Sequence, residues 1–127
     1  MALWLFKEEP SCFSYADLER TGSASWDGVK NALALKNLRQ VKPGDRILFY
    51  HTGKEKAVVG EANAKAVTDG VVTIAPVKRW PKPVTLGQIK AEKSLQDWAL
   101  VRISRLSVMP VTAAQWRRVE ELAEADE

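Results

Sequence analysis

Asp69-Gly70 sits between two stretches rich in β-branched and apolar residues. That dipeptide accepts the positive φ angles of a tight hairpin turn, so residues 56–67 and 71–79 read as antiparallel neighbours. Upstream, Pro43-Gly44-Asp45 forms a turn, the apolar run Arg46–His51 a strand, and residues 52–55, with Gly53, a second hairpin loop. Three strands joined by short turns make an antiparallel meander. A doubly wound parallel sheet is therefore not expected.

The flanking segments add helices. Residues 2–7 read as a first strand. Ser14 with Asp17 places a capping hydroxyl three residues before an acid, starting a helix that ends near Gly22. Residues 23–31 are irregular and carry Trp26 and Gly28. Residues 31–40 fit a short amphipathic helix, with Leu35 and Leu38 apolar and Lys36 and Arg39 basic. Pro81 and Pro83 are expected to end the meander. Thr85 with Gln88 opens a short helix to about Glu92, and residues 98–107 read as further extended chain. Thr112 with Gln115 opens a last helix carrying Trp116, Val119 and Leu122 on one face. The expected fold is an α+β domain with a curved or barrel-like sheet, in a single domain over 1–127.

Composition narrows the function. Residues 28–118 hold 17 bases against six acids, whereas residues 119–127 hold five acids and no base. A basic middle points to a polyanionic partner, although many basic small domains are simply soluble proteins. No apolar run approaches the ~20 residues that span a bilayer, so no membrane partner is expected. Lys7-Glu8-Glu9-Pro10 after the apolar start does not read as a signal peptide. One cysteine, Cys12, fits a reducing compartment, and a cytoplasmic location is expected: with the nucleoid in a bacterium, nuclear in a eukaryote. One cysteine and one histidine, His51, do not make a zinc site, so no metal and no cofactor are expected. Glycine-rich phosphate and dinucleotide loops and the zinc deaminase signature are absent.

Several residues carry candidate chemistry. In Trp26-Asp27-Gly28-Val29-Lys30-Asn31, a flat indole sits among polar residues in a loop. Two readings stand: Trp26 stacks on a planar base while Asp27 and Asn31 bond its edge, or Trp26 plugs the core while Asn31 caps the next helix. Lys7, Glu8 and Ser11 follow the first strand, either as ligand contacts or as solvated charge. Tyr50 and His51 end the strand from Arg46, and a lone histidine is more often a hydrogen-bonded structural group than a catalyst. A Cys12–His51 nucleophile and base lacks an orienting third residue. Arg105, with Ser107, reads as a phosphate contact, a brace, or a partner for Glu9. Lys78, Arg79 and Lys82 around Trp80 read as a backbone-contact cluster or as an ordinary solvated edge, and Lys30 joins the candidates for backbone contact.

These stretches together resemble the EVE domain family. The resemblance rests on Trp4-Leu5-Phe6-Lys7-Glu8-Glu9-Pro10, Phe13-Ser14-Tyr15-Ala16-Asp17-Leu18, Trp26-Asp27-Gly28-Val29-Lys30-Asn31 and Gly44-Asp45-Arg46-Ile47-Leu48-Phe49-Tyr50-His51. Val59-Gly60, Ala99-Leu100-Val101-Arg102 and Ser104-Arg105-Leu106-Ser107-Val108-Met109-Pro110-Val111 complete it, in order along nearly the whole chain. The chain departs from the family in one place, where Thr68-Asp69-Gly70 replaces a longer surface insertion.

The resemblance implies a PUA-like fold, a mixed and mainly antiparallel β pseudo-barrel with short helices around it. It implies a non-enzymatic module that binds nucleic acid carrying a modified base, a modified cytosine in DNA foremost. The base would be flipped into an aromatic pocket, with Trp26 as stacking wall, Lys7, Glu8 and Ser11 beside it, and Tyr50, His51, Arg105 and Ser107 completing the lining. Lys30, Lys78, Arg79 and Lys82 would meet the phosphates, and a monomer is expected. The alternatives are a module reading a modified RNA base, an enzyme using Lys7, Glu9 or His51 as acid or base, and a pocket for a free metabolite.

Overall fold

A computed structural model describes residues 1–26 and 29–124. Six strands form one sheet in the order β2-β5-β4-β3-β1-β6: β1 (Leu3–Glu8), β2 (Ala24–Trp26), β3 (Arg46–His51), β4 (Ala57–Thr68), β5 (Val71–Thr85) and β6 (Val108–Val111). The meander β3-β4-β5 is antiparallel, as its turns require. Asp69 (φ 52°) and Gly70 (φ 79°) both occupy the left-handed region that this two-residue hairpin demands. β1 pairs parallel with β3 and antiparallel with β6, which makes the sheet mixed. It curls into a half-barrel around one core that includes Phe6, Tyr15, Leu18, Phe49, Ile74 and Trp98.

Among the described residues, five α-helices flank the sheet: α1 (Tyr15–Thr21), α2 (Ala32–Leu38), α3 (Leu86–Lys90), α4 (Ala99–Arg102) and α5 (Ala113–Glu124). The three sequence-read capping boxes form, with Ser14 and Asp17 closing α1 and Thr85 and Gln88 closing α3. At α5, Gln115 N–H donates to Thr112 Oγ1 at 3.1 Å and Thr112 N–H donates to Gln115 Oε1 at 2.9 Å. Helix α1 lies close on the sheet because β4 carries a glycine there. A Cβ on Gly60 would stand 2.9 Å from the Tyr15 ring and 2.8 Å from the Lys78 carbonyl oxygen.

Three local expectations need correction. Residues 24–26, read as irregular, form an edge strand paired with Val72–Ile74 of β5. Pro81 and Pro83 do not end β5. Val58 pairs with Val84 and Gly60 with Arg79, so residues 80–83 bulge opposite Val59 alone. A bulge frees backbone from the ladder, which is where a strand tolerates proline. Residues 98–107 are not extended: Lys93–Leu95 is a turn of 3₁₀ helix, α4 follows, and strand begins only at Val108. Burial of Trp98 and Leu100, each 2% exposed, overrides the weak extended preference of Val101 and Ile103.

Asp45 anchors the start of β1. Its carboxylate accepts from the Trp4 indole at 2.9 Å, from Ala2 N–H at 3.0 Å and from Lys42 N–H at 2.9 Å. Burial opposes its ionisation, but the donors of Lys42, Trp4 and Ala2 outweigh that and hold the carboxyl below its usual range.

Candidate functional site

The parallel register of β1 on β3 sets Phe6 beside Phe49, Lys7 beside Tyr50 and Glu8 beside His51. Successive strand residues point to opposite faces, so two different environments meet at this end of the sheet. On the Phe6 face, Trp26 closes β2 against the sheet. Its ring is 5.4 Å from Phe6 at 37° and 5.8 Å from Phe49 at 79°. Trp26 is 7% exposed, so it is a core residue, and it also borders a cleft. The core-packing reading of Trp26 therefore holds, and the indole it immobilises also lines the cleft.

The cleft has a volume of about 630 Å³ and is lined by Lys7, Glu8, Phe13, Ala24, Ser25, Trp26, Val29, Lys30 and Ser107. That size is typical of sites that enclose a planar organic group. The Lys7 amide donates to Ser107 O at 2.9 Å, which brings Ser107 to the rim. Burial lowers the pKa of Lys7. Burial also raises that of Glu8, opposed by the Glu9 N–H that its carboxylate accepts at 3.2 Å and reinforced by the Glu9 charge. Glu8 thus brings a partly buried carboxylate to the cleft, whereas Lys7 lines it and turns its ammonium toward Ser104 and Tyr50. A carboxylate of this kind accepts from an exocyclic amine, and an ammonium donates to a carbonyl or a phosphate.

Of the sequence-expected ligand contacts, Lys7, Glu8, Trp26 and Ser107 come together here, joined by Lys30. Asp27 lies outside the described residues. Asn31 caps α2, its side-chain oxygen accepting from Ala34 N–H at 3.0 Å. Ser11 is exposed and donates to Glu9 at 3.2 Å. Tyr50 faces the other side of the sheet, where it lines a second hollow with Lys7. His51 packs against α1, accepting the Tyr15 N–H at Nε2 (3.0 Å) and contacting Glu55 from Nδ1 (2.6 Å). Arg105 is exposed beyond the cleft, and it forms no ion pair with Glu9 among the described residues. Lys78, Arg79 and Lys82 lie on the part of β5 past its pairing with β2, and Arg79 is taken up by Glu19 at 2.6 Å.

Phe13, Ala24, Ser25 and Val29 line the cleft without having been read as contacts. The short extended segment ending in Trp26 carried the signal, because an edge strand there brings its own residues to the wall. A larger hollow of about 1000 Å³ lies elsewhere, bordered by Met1, Arg39, Lys42, Asp45 and Ala113. Its carboxylate, Asp45, is consumed by structural hydrogen bonds, so the Trp26 cleft is the better candidate site.

A curled mixed sheet ringed by short helices is the architecture of a PUA-like module. The chain belongs to the EVE domain family, whose model matches residues 2–122. Among its relatives is thymocyte nuclear protein 1 of Danio rerio, 26% identical over 97% of this chain and 72% of that protein. A solved structure from Rhodopseudomonas palustris is 36% identical, covers 97% of this chain and 93% of that one, and has a TM-score of 0.90. A structure of the human THYN1 protein in complex with DNA containing 5-methylcytosine has a TM-score of 0.90 at 24% identity, over the whole of both chains. Among the described residues no helix is long and apolar enough to cross a membrane.

Proposed function

We propose that the chain is a non-enzymatic reader of a modified base, a modified cytosine in DNA foremost, turned out of its stack into the Trp26 cleft. The observation that carries this reading is the packed Trp26 indole set beside the partly buried Glu8 carboxylate in one cleft. The DNA complex of the human relative supports the choice of base. Flipping costs a few kcal/mol, and stacking returns ~1–3 kcal/mol per base, so edge hydrogen bonds such as that of Glu8 must supply the remainder. Lys30, which lines the cleft, would meet a flanking phosphate. A binding rather than catalytic role is supported by His51, whose two ring nitrogens are committed to Tyr15 and Glu55, away from the cleft. We take the chain to act as a monomer in the compartment that holds its nucleic acid.

Fluorescence anisotropy with 5-methylcytosine DNA, plain DNA and the matching RNAs tests the reading. Tighter binding of methylated DNA is expected, with discrimination kept by Trp26→Phe and lost by Trp26→Ala. Equal affinity for methylated and plain DNA overturns it, and preference for a modified RNA moves the site to the RNA alternative.

A further inference from the structure

On the face opposite the Trp26 cleft, Lys7 borders a second hollow of about 220 Å³. We propose that this hollow is a phosphate-binding site, in which Lys7, Lys56, Lys90 and the Tyr50 hydroxyl hold a phosphate-type oxyanion. The volume falls below the ~300–1,000 Å³ of sites for drug-sized ligands, so a small group fits best. Three separate elements each bring one lysine: β1 brings Lys7, the turn before β4 brings Lys56 and the end of α3 brings Lys90. Among the described residues, none that lines the hollow is an acid. The nearby Glu9 carboxylate is held by the hydroxyls of Ser11 at 3.2 Å and Thr52 at 3.1 Å.

The rest of the lining strengthens cation–anion attraction. Tyr50, Leu86, Leu100 and Val101 give it an apolar floor, and attraction between charges grows as water is excluded. Tyr50 is 2% exposed, and its hydroxyl makes no hydrogen bond with any described residue. Burial pushes that phenol up to about 12, so it remains a donor across the physiological range. The Lys7 ammonium donates to Ser104 O at 3.0 Å and stands 5.5 Å from the Tyr50 ring centre. Burial disfavours its charge, and a bound anion would offset that cost. Because Lys7 borders both hollows, occupants of the two would be neighbours across one side chain. The phosphate could belong to the backbone of a bound nucleic acid, in which case this inference rests on the function proposed above, or to a free phosphate compound.

Two measurements on the full chain test it. The first is an amide NMR titration with inorganic phosphate. Phosphate is expected to shift Gly53, Lys56 and Lys90 and to leave Ser25 and Trp26 unmoved. Lys56→Gln, Lys90→Gln or Tyr50→Phe should weaken it by about tenfold, the scale of one hydrogen bond to a charged group. The second is the salt dependence of binding to 5-methylcytosine DNA and to plain DNA. Each lysine variant is expected to flatten the slope of log K on log salt by about 0.9, one phosphate contact, equally for both DNAs, while Lys65→Gln changes neither titration nor discrimination. Flattened slopes identify a backbone phosphate. Phosphate shifts with unchanged slopes identify a free phosphate compound. Phosphate shifts from a chain that fails to bind DNA at all overturn the base-reading function and leave the phosphate site standing. Absence of both effects, or phosphate shifts indifferent to all three variants, overturns the site.

Discussion

The backbone N–H of Tyr15 donates to His51 Nε2 at 3.0 Å, tying the first turn of α1 to the end of β3. An Nε2 that accepts cannot carry a proton, so the neutral ring is protonated at Nδ1 and donates to Glu55. His51→Ala removes the acceptor from a buried amide and is expected to cost about 1–3 kcal/mol. Thermal unfolding should show that loss while oligonucleotide discrimination persists. Long-range ¹H–¹⁵N NMR should find the Nδ1–H tautomer, and an Nε2–H tautomer would contradict the arrangement.

Gly60 is where Tyr15 and β5 crowd β4. A Cβ there would meet the Tyr15 ring and the Lys78 carbonyl inside van der Waals distance, and the carbonyl belongs to the ladder. Gly60→Ala is therefore expected to destabilise by about 1–3 kcal/mol, the usual cost of overpacking. Chemical denaturation of the variant measures it, and an unchanged midpoint would mean that α1 is free to move outward.

Asp45 should govern part of the acid stability. Its carboxyl is held below the usual value, because the donors from Lys42, Trp4 and Ala2 outweigh the burial that opposes ionisation. A depressed folded-state pKa contributes stability that is present above the unfolded value of ~4 and is lost as pH falls through the folded value. Asp45→Asn should be less stable than the parent at pH 7, and the gap should narrow below pH ~4 as the parent's carboxyl protonates. Urea denaturation at the two pH values makes the comparison, and a gap that stays constant would remove Asp45 from the acid response.

Features set by neighbours in sequence were legible. Asp69-Gly70 specified its hairpin, and Ser14, Thr85 and Thr112 specified three helix starts, because the turn angles and capping bonds involve residues within three positions. The bulge at Pro81 and Pro83 was not legible, since it depends on Val59 across the ladder. The helical turn at α4 depends likewise on the burial of Leu100 and Trp98. Lys7, Glu8, Trp26 and Ser107, which the family resemblance grouped, lie along one cleft. Tyr50 and His51 do not share the lining for two reasons: strand alternation sends Tyr50 to the opposite side, and His51, on the Phe49 side, is taken up by Tyr15 and Glu55.

Glu8 sets a conflict between stability and recognition. Burial raises its pKa, and the adjacent Glu9 charge adds to that against one backbone donor. A carboxyl whose pKa rises on folding opposes folding wherever it is ionised, so Glu8→Gln should stabilise the chain at pH 7. The same ionised group is the acceptor proposed for a cytosine amine. Affinity for 5-methylcytosine DNA should therefore fall as pH is lowered toward the raised pKa, beginning above the pH at which an ordinary glutamate, with a value of 4.5, would titrate. Glu8→Gln should bind more weakly at pH 7 and lose this pH dependence while melting at a higher temperature. Measuring anisotropy and thermal unfolding on the same samples separates the effects, because a merely solvated Glu8 would leave both unchanged on substitution.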